Sequence, residues 1–238
     1  FPAWLSGKQV PLDIKAEMTV SDLDPSRIKF NTGKSGARKG AIHLPGGINA
    51  DILVRLDNFS YNKFNASLIT GHLKYKPLMA DVRNLNAITL GGKVSGNFIT
   101  AENRDGTFIS QGNFNLESID IKKCFESFGN FGQSFILAEN LAGTLGGSLR
   151  ILMPMDSMMK PLVKAVNAEG RYIIENGTLT NFEPVKALSD FIDIKELENI
   201  KFSKIENDFF IRNNALSVPQ MEILSSAADF SVSGKHSF

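Results

Sequence analysis

The sequence contains a single cysteine, Cys124, among 238 residues. One thiol cannot form an intramolecular disulfide, so a scaffold held by internal disulfides is excluded and cysteine usage indicates no redox compartment. The neighbouring Lys122, Lys123 and Phe125 offer no general base. We therefore predict no catalytic role for Cys124.

Polar aromatic residues are also scarce: the chain has 3 Tyr and 1 Trp beside 18 Phe. Phenylalanine supplies apolar area without a polar atom, which suits a dry surface better than a platform for sugars or bases. The net charge is only +1. Because no overall field favours polyanions, we predict no nucleic-acid partner.

Long apolar runs are missing. No stretch approaches the roughly 18 residues of a membrane span, and no secretory leader opens the sequence. The chain starts at Phe1 rather than Met, and a strand-like pattern is still running at Phe238. We therefore expect a fragment of a longer protein.

Motifs that carry chemistry are few. His43, His72 and His236 are too widely spaced for a zinc site. Gly33-Lys34-Ser35 is similar to the end of a phosphate loop, but Ile28 stands where that motif needs its first glycine. We predict no catalytic residues, no metal and no cofactor, and a hydrolase using scattered acids remains the enzyme alternative.

One basic stretch stands out, because no acidic residue occurs between Pro25 and Ala50. It could be the solvated tip of a hairpin. Alternatively, it could contact anionic lipid head groups, at about 1 kcal/mol per basic residue. The head-group candidates are Arg27, Lys29, Lys34, Arg38 and Lys39.

Most of the chain alternates apolar and polar residues, as strands with one buried face do. Alternating runs include 14–20, 52–56, 107–117 and 230–235. Helical patterns are few: Pro184–Ile200, Ile119–Phe128, and a weaker segment from Asp156, as its cap, through Val166. The sequence therefore predicts a mainly β protein with two or three short helices.

Turn signals divide the alternating runs. Asn176-Gly177 predicts a two-residue type I′ hairpin turn, and Asp105-Gly106 predicts a second hairpin. Asn207-Asp208 and Asn213-Asn214 are weaker signals. A glycine two residues before a large apolar residue recurs at irregular intervals, as in Gly112/Phe114, and predicts a meander that bends at glycine bulges.

An extended apolar sheet face must be covered by a second sheet, by helices or by a ligand. Periodicity alone favours an ordinary closed sandwich or barrel. The alternative is an open sheet that keeps a groove for an apolar ligand.

The segment from Ala168 onward resembles the C-terminal region of the AsmA-like family, especially its Bacteroidetes members. The resemblance is carried by a glycine strand with an Asn-Gly turn, a short helix and several strand blocks. In order, these are Gly170–Asn181, the helix Val185–Ile192, Ile200–Ile205, Phe209–Asn213, Met221–Ser226 and Ala228–Gly234. Asn213-Asn214 departs from the family, which often has Asn-Gly there.

The resemblance implies a single β-rich module over residues 1–238, most family-like over 168–238. AsmA-like proteins are related to bridge-like lipid-transfer proteins, so the expected fold is an elongated, strongly curved antiparallel β-sheet forming an open groove or half-barrel. The implied location is the periplasm, with an inner-membrane anchor in the missing N-terminal part.

The expected function is non-enzymatic envelope biogenesis, in which phospholipid or another lipid lies in the apolar groove between the two membranes. The alternative is a β-rich scaffold with a closed core that assists outer-membrane assembly proteins by edge-strand pairing. The candidate groove lining is Ile52, Val54, Leu56, Phe98, Phe108, Phe114, Leu116, Phe230 and Val232.

Overall fold

The computed structural model describes residues 12–25, 41–134, 136–183 and 197–237. The described chain is mainly β, as predicted. Its strands are β1 (Leu12–Leu23), β2 (Ile48–Tyr61), β3 (Phe64–Lys76), β4 (Met79–Thr89), β5 (Gly92–Glu102), β6 (Phe108–Asp120), β7 (Leu141–Met155), β8 (Asn167–Thr180), β9 (Asn199–Arg212), β10 (Ala215–Leu224) and β11 (Asp229–Ser237).

All eleven strands form one sheet in the order of the sequence. Strands β2 to β11 pair antiparallel, but β1 pairs parallel to β2, so the prediction of a purely antiparallel sheet is wrong at this edge. Within the described ranges, β1 and β11 are the outer strands and the sheet does not close.

The described α-helix is α1 (Ile121–Ser127), close to the predicted 119–128 segment. Asp120 ends β6 and caps the helix, because its Oδ1 accepts a 3.0 Å hydrogen bond from the Lys123 amide. A turn with positive φ at all four residues, Gly129–Gly132, follows the helix. Short 3₁₀ turns lie at Ala138–Asn140 and Val163–Ala165.

Two predicted helices need correction. Residues 156–166 form turns and the 3₁₀ turn instead of an α-helix, because Asp156 binds the nearby amides of a tight loop. Of the predicted helix Pro184–Ile200, residues 184–196 lie outside the described residues. The predicted end of this helix is wrong, since Asn199 and Ile200 already belong to β9.

The Asn-Gly signal at 176–177 is also not a hairpin turn. Asn176 has φ 52° inside the continuous strand β8, and β8 carries one more residue than β7 between Glu175 and Thr178. The pair is therefore a β-bulge. Asp105-Gly106 does lie in a hairpin between β5 and β6, as predicted.

The weaker turn signal at Asn213-Asn214 is confirmed, because both residues have positive φ between the paired Arg212 and Ala215. The other weaker signal, Asn207-Asp208, is wrong, because both residues lie inside β9. The family resemblance predicts separate strands at 200–205 and 209–213. They instead run through the single strand β9, which ends at Arg212.

Most bulges centre on residues other than glycine. Leu68, Asn84, Ser118 and Asn176 have φ between 49° and 54° inside strands, each at or beside a register shift. The prediction that strand glycines mark the bulges is therefore wrong at Leu68, Asn84 and Ser118, whereas the bulge at Asn176 includes Gly177, as predicted. A bulge adds local twist and bends its strand.

Little of the described chain forms a closed core. Phe108, Ile119 and Leu197 are about 1% exposed. At one end of the strands, segment 41–45 is joined to the sheet through Glu102. The Glu102 carboxylate accepts a 2.7 Å hydrogen bond from the Leu44 amide and lies 2.7 Å from His43 Nδ1. At the other end α1 packs beside β6 and β7.

Candidate functional site

Strand pairing places the nine candidate lining residues on one face of the sheet, since directly paired residues project to the same side. The central row crosses nine strands, from β2 to β10. It consists of Ile52, Leu73, Val82, Phe98, Gly112, Ile151, Ala168, Ile211 and Leu216. We call this side the apolar face.

The other candidates join the same face through their partners. Phe114 pairs with Gly96 and Leu149, and Leu116 pairs with Val94 and Gly147. Phe230 and Val232 reach the face through Ile223 and Met221 on β10. Candidates that lie far apart in the sequence thus share one surface.

Glycines on this face lie beneath aromatic rings. A Cβ built on Gly112 would be 2.7 Å from the Phe114 ring, and one on Gly96 would be 2.9 Å from it. A Cβ on Gly170 would be 2.8 Å from the Phe209 ring. At Gly112/Phe114 the ring packs over the glycine of the recurring phrase itself, whereas Gly96 and Gly170 lie under rings of the neighbouring strands.

The apolar face is covered unequally. Phe108 and Leu56 are buried, and Phe108 lies beside Met155 near segment 41–45. Ile52, Val54, Phe98, Phe114, Leu116 and Phe230 are half-buried, and Val232 is 38% exposed. Among the described residues no second sheet packs over this face.

The opposite side of the sheet is charged and holds a cavity of about 760 Å³. Most of its lining residues alternate with the apolar row, and four others, Phe98, Gly112, Ile151 and Ala168, belong to that row. The alternating residues are Asp81, Arg83, Asn97, Ile99, Gln111, Asn113, Arg150, Leu152, Asn167, Glu169 and Arg212. Of the nine lining candidates, only Phe98 borders it. Sequence reasoning missed this cavity, although the polar half of the same alternation was its signal.

The charged groups of this cavity form ion pairs with one another. Arg83 bonds Asp81 at 2.7 Å, and this carboxylate raises the pKa of Arg83. Glu169 accepts from Arg212 at 3.0 Å and lies 3.5 Å from Arg150. Both carboxylates of this cavity are therefore held by arginines.

A second charged group on this side joins β2 and β3. His72 Nε2 lies 2.5 Å from Asp51 Oδ1, and this hydrogen bond lowers the pKa of Asp51. Further along the sheet, Glu206 binds Lys204 and Arg171, which lower its pKa in that order. The His72–Asp51 and Arg171–Glu206 contacts join neighbouring strands, whereas Lys204 and Glu206 both lie on β9.

Three further features of the described residues bear on chemistry and location: the Cys124 thiol, metal ligands and membrane-spanning helices. Burial raises the pKa of the Cys124 thiol to about 11, which keeps it protonated at neutral pH. In the described ranges, no three His, Cys, Asp or Glu side chains cluster as metal ligands would. No described helix is long and apolar enough to span a bilayer.

The five basic head-group candidates, at positions 27–39, lie outside the described residues. The site that the structure offers is therefore the apolar face, backed by a charged face on the other side of the same strands. The chain matches no protein-family model, no curated protein and no solved structure.

Proposed function

We propose that the chain is a non-enzymatic, AsmA-like module that holds phospholipid acyl chains along its apolar face. The observation that carries this proposal is the single apolar row from β2 to β10, which no described second layer covers. A soluble monomer rarely leaves so large an apolar surface without a ligand or partner.

The energetics favour an acyl-chain ligand. Moving a sixteen-carbon chain through water costs about 12 kcal/mol, at ~0.8 kcal/mol per CH₂ group. Eleven strands spaced about 4.8 Å apart extend the sheet over roughly 48 Å. This length accommodates several acyl chains side by side.

The packing of the face suits a sliding ligand. The rings of Phe114 and Phe209 pack over glycines of the same face. An apolar surface of this kind contacts a flexible chain along its length without fixing one conformation. In this proposal, the strand bulges curve the sheet into an open groove.

The parent protein, in the same proposal, lies in the periplasm with an inner-membrane anchor N-terminal to this module. Lipid then passes between the inner and outer membranes along sheets of this kind. The resemblance from Ala168 onward and the apolar face support this assignment.

Native mass spectrometry and lipid extraction of the purified chain test lipid binding. Phe114→Asp and Val54→Asp place a carboxylate on the apolar face, and we expect each to reduce phospholipid occupancy. Leu53→Asp is the matched control, because Leu53 neighbours Val54 on β2 but is 51% exposed on the charged face. Circular dichroism checks folding.

Two outcomes would refute the proposal. One is a folded wild-type chain that carries no phospholipid and takes up none from a fluorescent phospholipid. The other is equal loss of lipid in Leu53→Asp and Val54→Asp, because a lipid on the apolar face would respond only to Val54→Asp.

An interaction scaffold is the second candidate, favoured by the exposed strand β11. Most residues of Asp229–Ser237 are exposed, and no described strand pairs with its outer edge. Such an edge can accept a strand from an outer-membrane assembly partner. Lys235→Pro, which removes a backbone donor on β11, should abolish partner capture while leaving lipid occupancy unchanged.

A further inference from the structure

The connection between β7 and β8, Asp156–Val166, exposes large apolar side chains at one end of the strands. Met158 is 46% exposed, Leu162 45% and Val163 68%. We call this connection the β7–β8 loop. It borders the buried Met155 and lies outside the central apolar row.

The exposure is built into an ordered loop. Asp156 Oδ1 accepts hydrogen bonds from the Met158 and Lys160 amides at 2.8 and 2.9 Å. The Leu162 amide donates to the Pro154 carbonyl at 2.9 Å, and the Ile42 amide donates to the Ser157 carbonyl at 2.8 Å. These bonds fix the backbone of the loop in a conformation that leaves the apolar side chains exposed to water.

Apart from the Asp156 carboxylate, the charges of the loop are positive. Lys160 and Lys164 are exposed, and no acidic residue occurs from Ser157 to Ala168. The carboxylate of Asp156 already receives two amides of the loop itself. Exposed apolar side chains interleaved with lysines are the composition of segments that lie at an anionic membrane interface.

We propose that the β7–β8 loop docks the module onto a bilayer that contains anionic phospholipid. Leu162, Val163 and Met158 enter the boundary between head groups and acyl chains, and Lys160 and Lys164 lie among the phosphates. The loop has only eleven residues, whereas a stable protein interface uses about 20–30 residues a side. A lipid surface needs no such complementary area.

This docking goes beyond the acyl-chain site on the apolar face, because the two surfaces share no residue. The module could hold lipid without the loop touching a bilayer, and the reverse also holds. Variants in each surface therefore test each proposal separately.

Vesicle flotation tests the docking. We expect the chain to float with vesicles of phosphatidylcholine and phosphatidylglycerol, to bind pure phosphatidylcholine weakly, and to be released by salt. Lys160→Ser with Lys164→Ser should lower the partition coefficient about 25-fold, at about fivefold per lysine. Lys122→Ser with Lys123→Ser removes the same charge from exposed lysines at the other end of the strands and should change it less than about twofold.

Tryptophan fluorescence reports insertion without depending on a loss of binding. Val163→Trp is made in a Trp4→Phe background, which removes the one native tryptophan. With anionic vesicles its emission should shift to the blue and be quenched by brominated lipid. Leu53→Trp, at a 51% exposed position on the charged face, should show neither change.

The docking would be overturned if the chain did not float with anionic vesicles, even if it bound an acidic protein. It would also be overturned if the two double-lysine variants lost vesicle binding equally, or if brominated lipid did not quench the tryptophan at position 163. Val54→Asp should leave flotation unchanged while reducing lipid occupancy, so failure of the groove proposal is distinguishable from failure of this one.

Discussion

Gly177→Ala should destabilise the sheet through one identifiable contact. The Phe202 ring on β9 lies over Gly177, and a Cβ there would be 2.7 Å from Cδ2 and closer still to Cε2 and Cζ. No backbone atom is among those three nearest atoms, and φ at Gly177 is not positive. Relief therefore requires the ring to move, and overpacking of this kind costs about 1–3 kcal/mol.

A double-mutant cycle isolates that contact. Phe202→Ala alone should cost about 2 kcal/mol, because the ring is half-buried and a fully buried Phe→Ala costs about 3–5. In the Phe202→Ala background, Gly177→Ala should be neutral or stabilise by about 0.5–1 kcal/mol, since alanine restricts the unfolded chain. The predicted coupling energy is therefore about 2 kcal/mol.

Urea unfolding, followed by circular dichroism, measures the four free energies of unfolding. Gly234→Ala is the control, because a Cβ at that position would have no neighbouring atom within 4 Å, and it should be neutral within about 0.5 kcal/mol. If Gly177→Ala costs the same in both backgrounds, the ring is not the cause and the packing argument is refuted.

Three further predictions concern the backbone, pH and the thiol. Leu68→Asn should raise the free energy of unfolding by about 1 kcal/mol in urea, because Leu68 is 67% exposed with φ 49° and Asn tolerates that region; no gain would contradict strain there. The pKa of Asp51 lies below its usual 3.8, so its hydrogen bond to His72 contributes stability at neutral pH that is lost as the pH falls through the lowered pKa. Asp51→Asn should therefore lose less Tm than the wild type between about pH 7 and pH 3, and an equal loss would count against this linkage. Cys124, with a pKa of about 11, should react slowly with iodoacetamide at about pH 8 and rapidly in denaturant, and rapid native labelling would disprove its burial.

Much of the sheet could be predicted because strand alternation is a local signal. The run from Phe108 to Leu116 keeps every second residue on one face, and the pairing of β6 preserves that choice across the sheet. Helix α1 was predictable for a similar reason, since Asp120 caps it within one turn. The candidate lining could therefore be named from spacing and a family resemblance.

Features decided by distant chain segments could not be predicted. Asn-Gly favours positive φ, which serves a hairpin turn and a bulge equally well, and only the flanking β7 and β9 make Asn176 a bulge. The parallel pairing of β1 with β2 joins residues far apart in the sequence, such as Leu12 and Ile48, and no local pattern encodes it. The charged cavity was missed because strand pairing brings together residues from distant parts of the chain, such as Arg212 and Glu169, which are 43 positions apart.

The strand order has a consequence for how the protein is made. From β2 to β11 each strand pairs with its sequence neighbour, so the sheet can grow in the direction of translation without waiting for the rest of the chain. An error in one hairpin then disturbs mainly the two strands beside it, as in repeat proteins with nearest-neighbour contacts. The same growth rule allows a longer or shorter sheet to evolve by adding or removing hairpins.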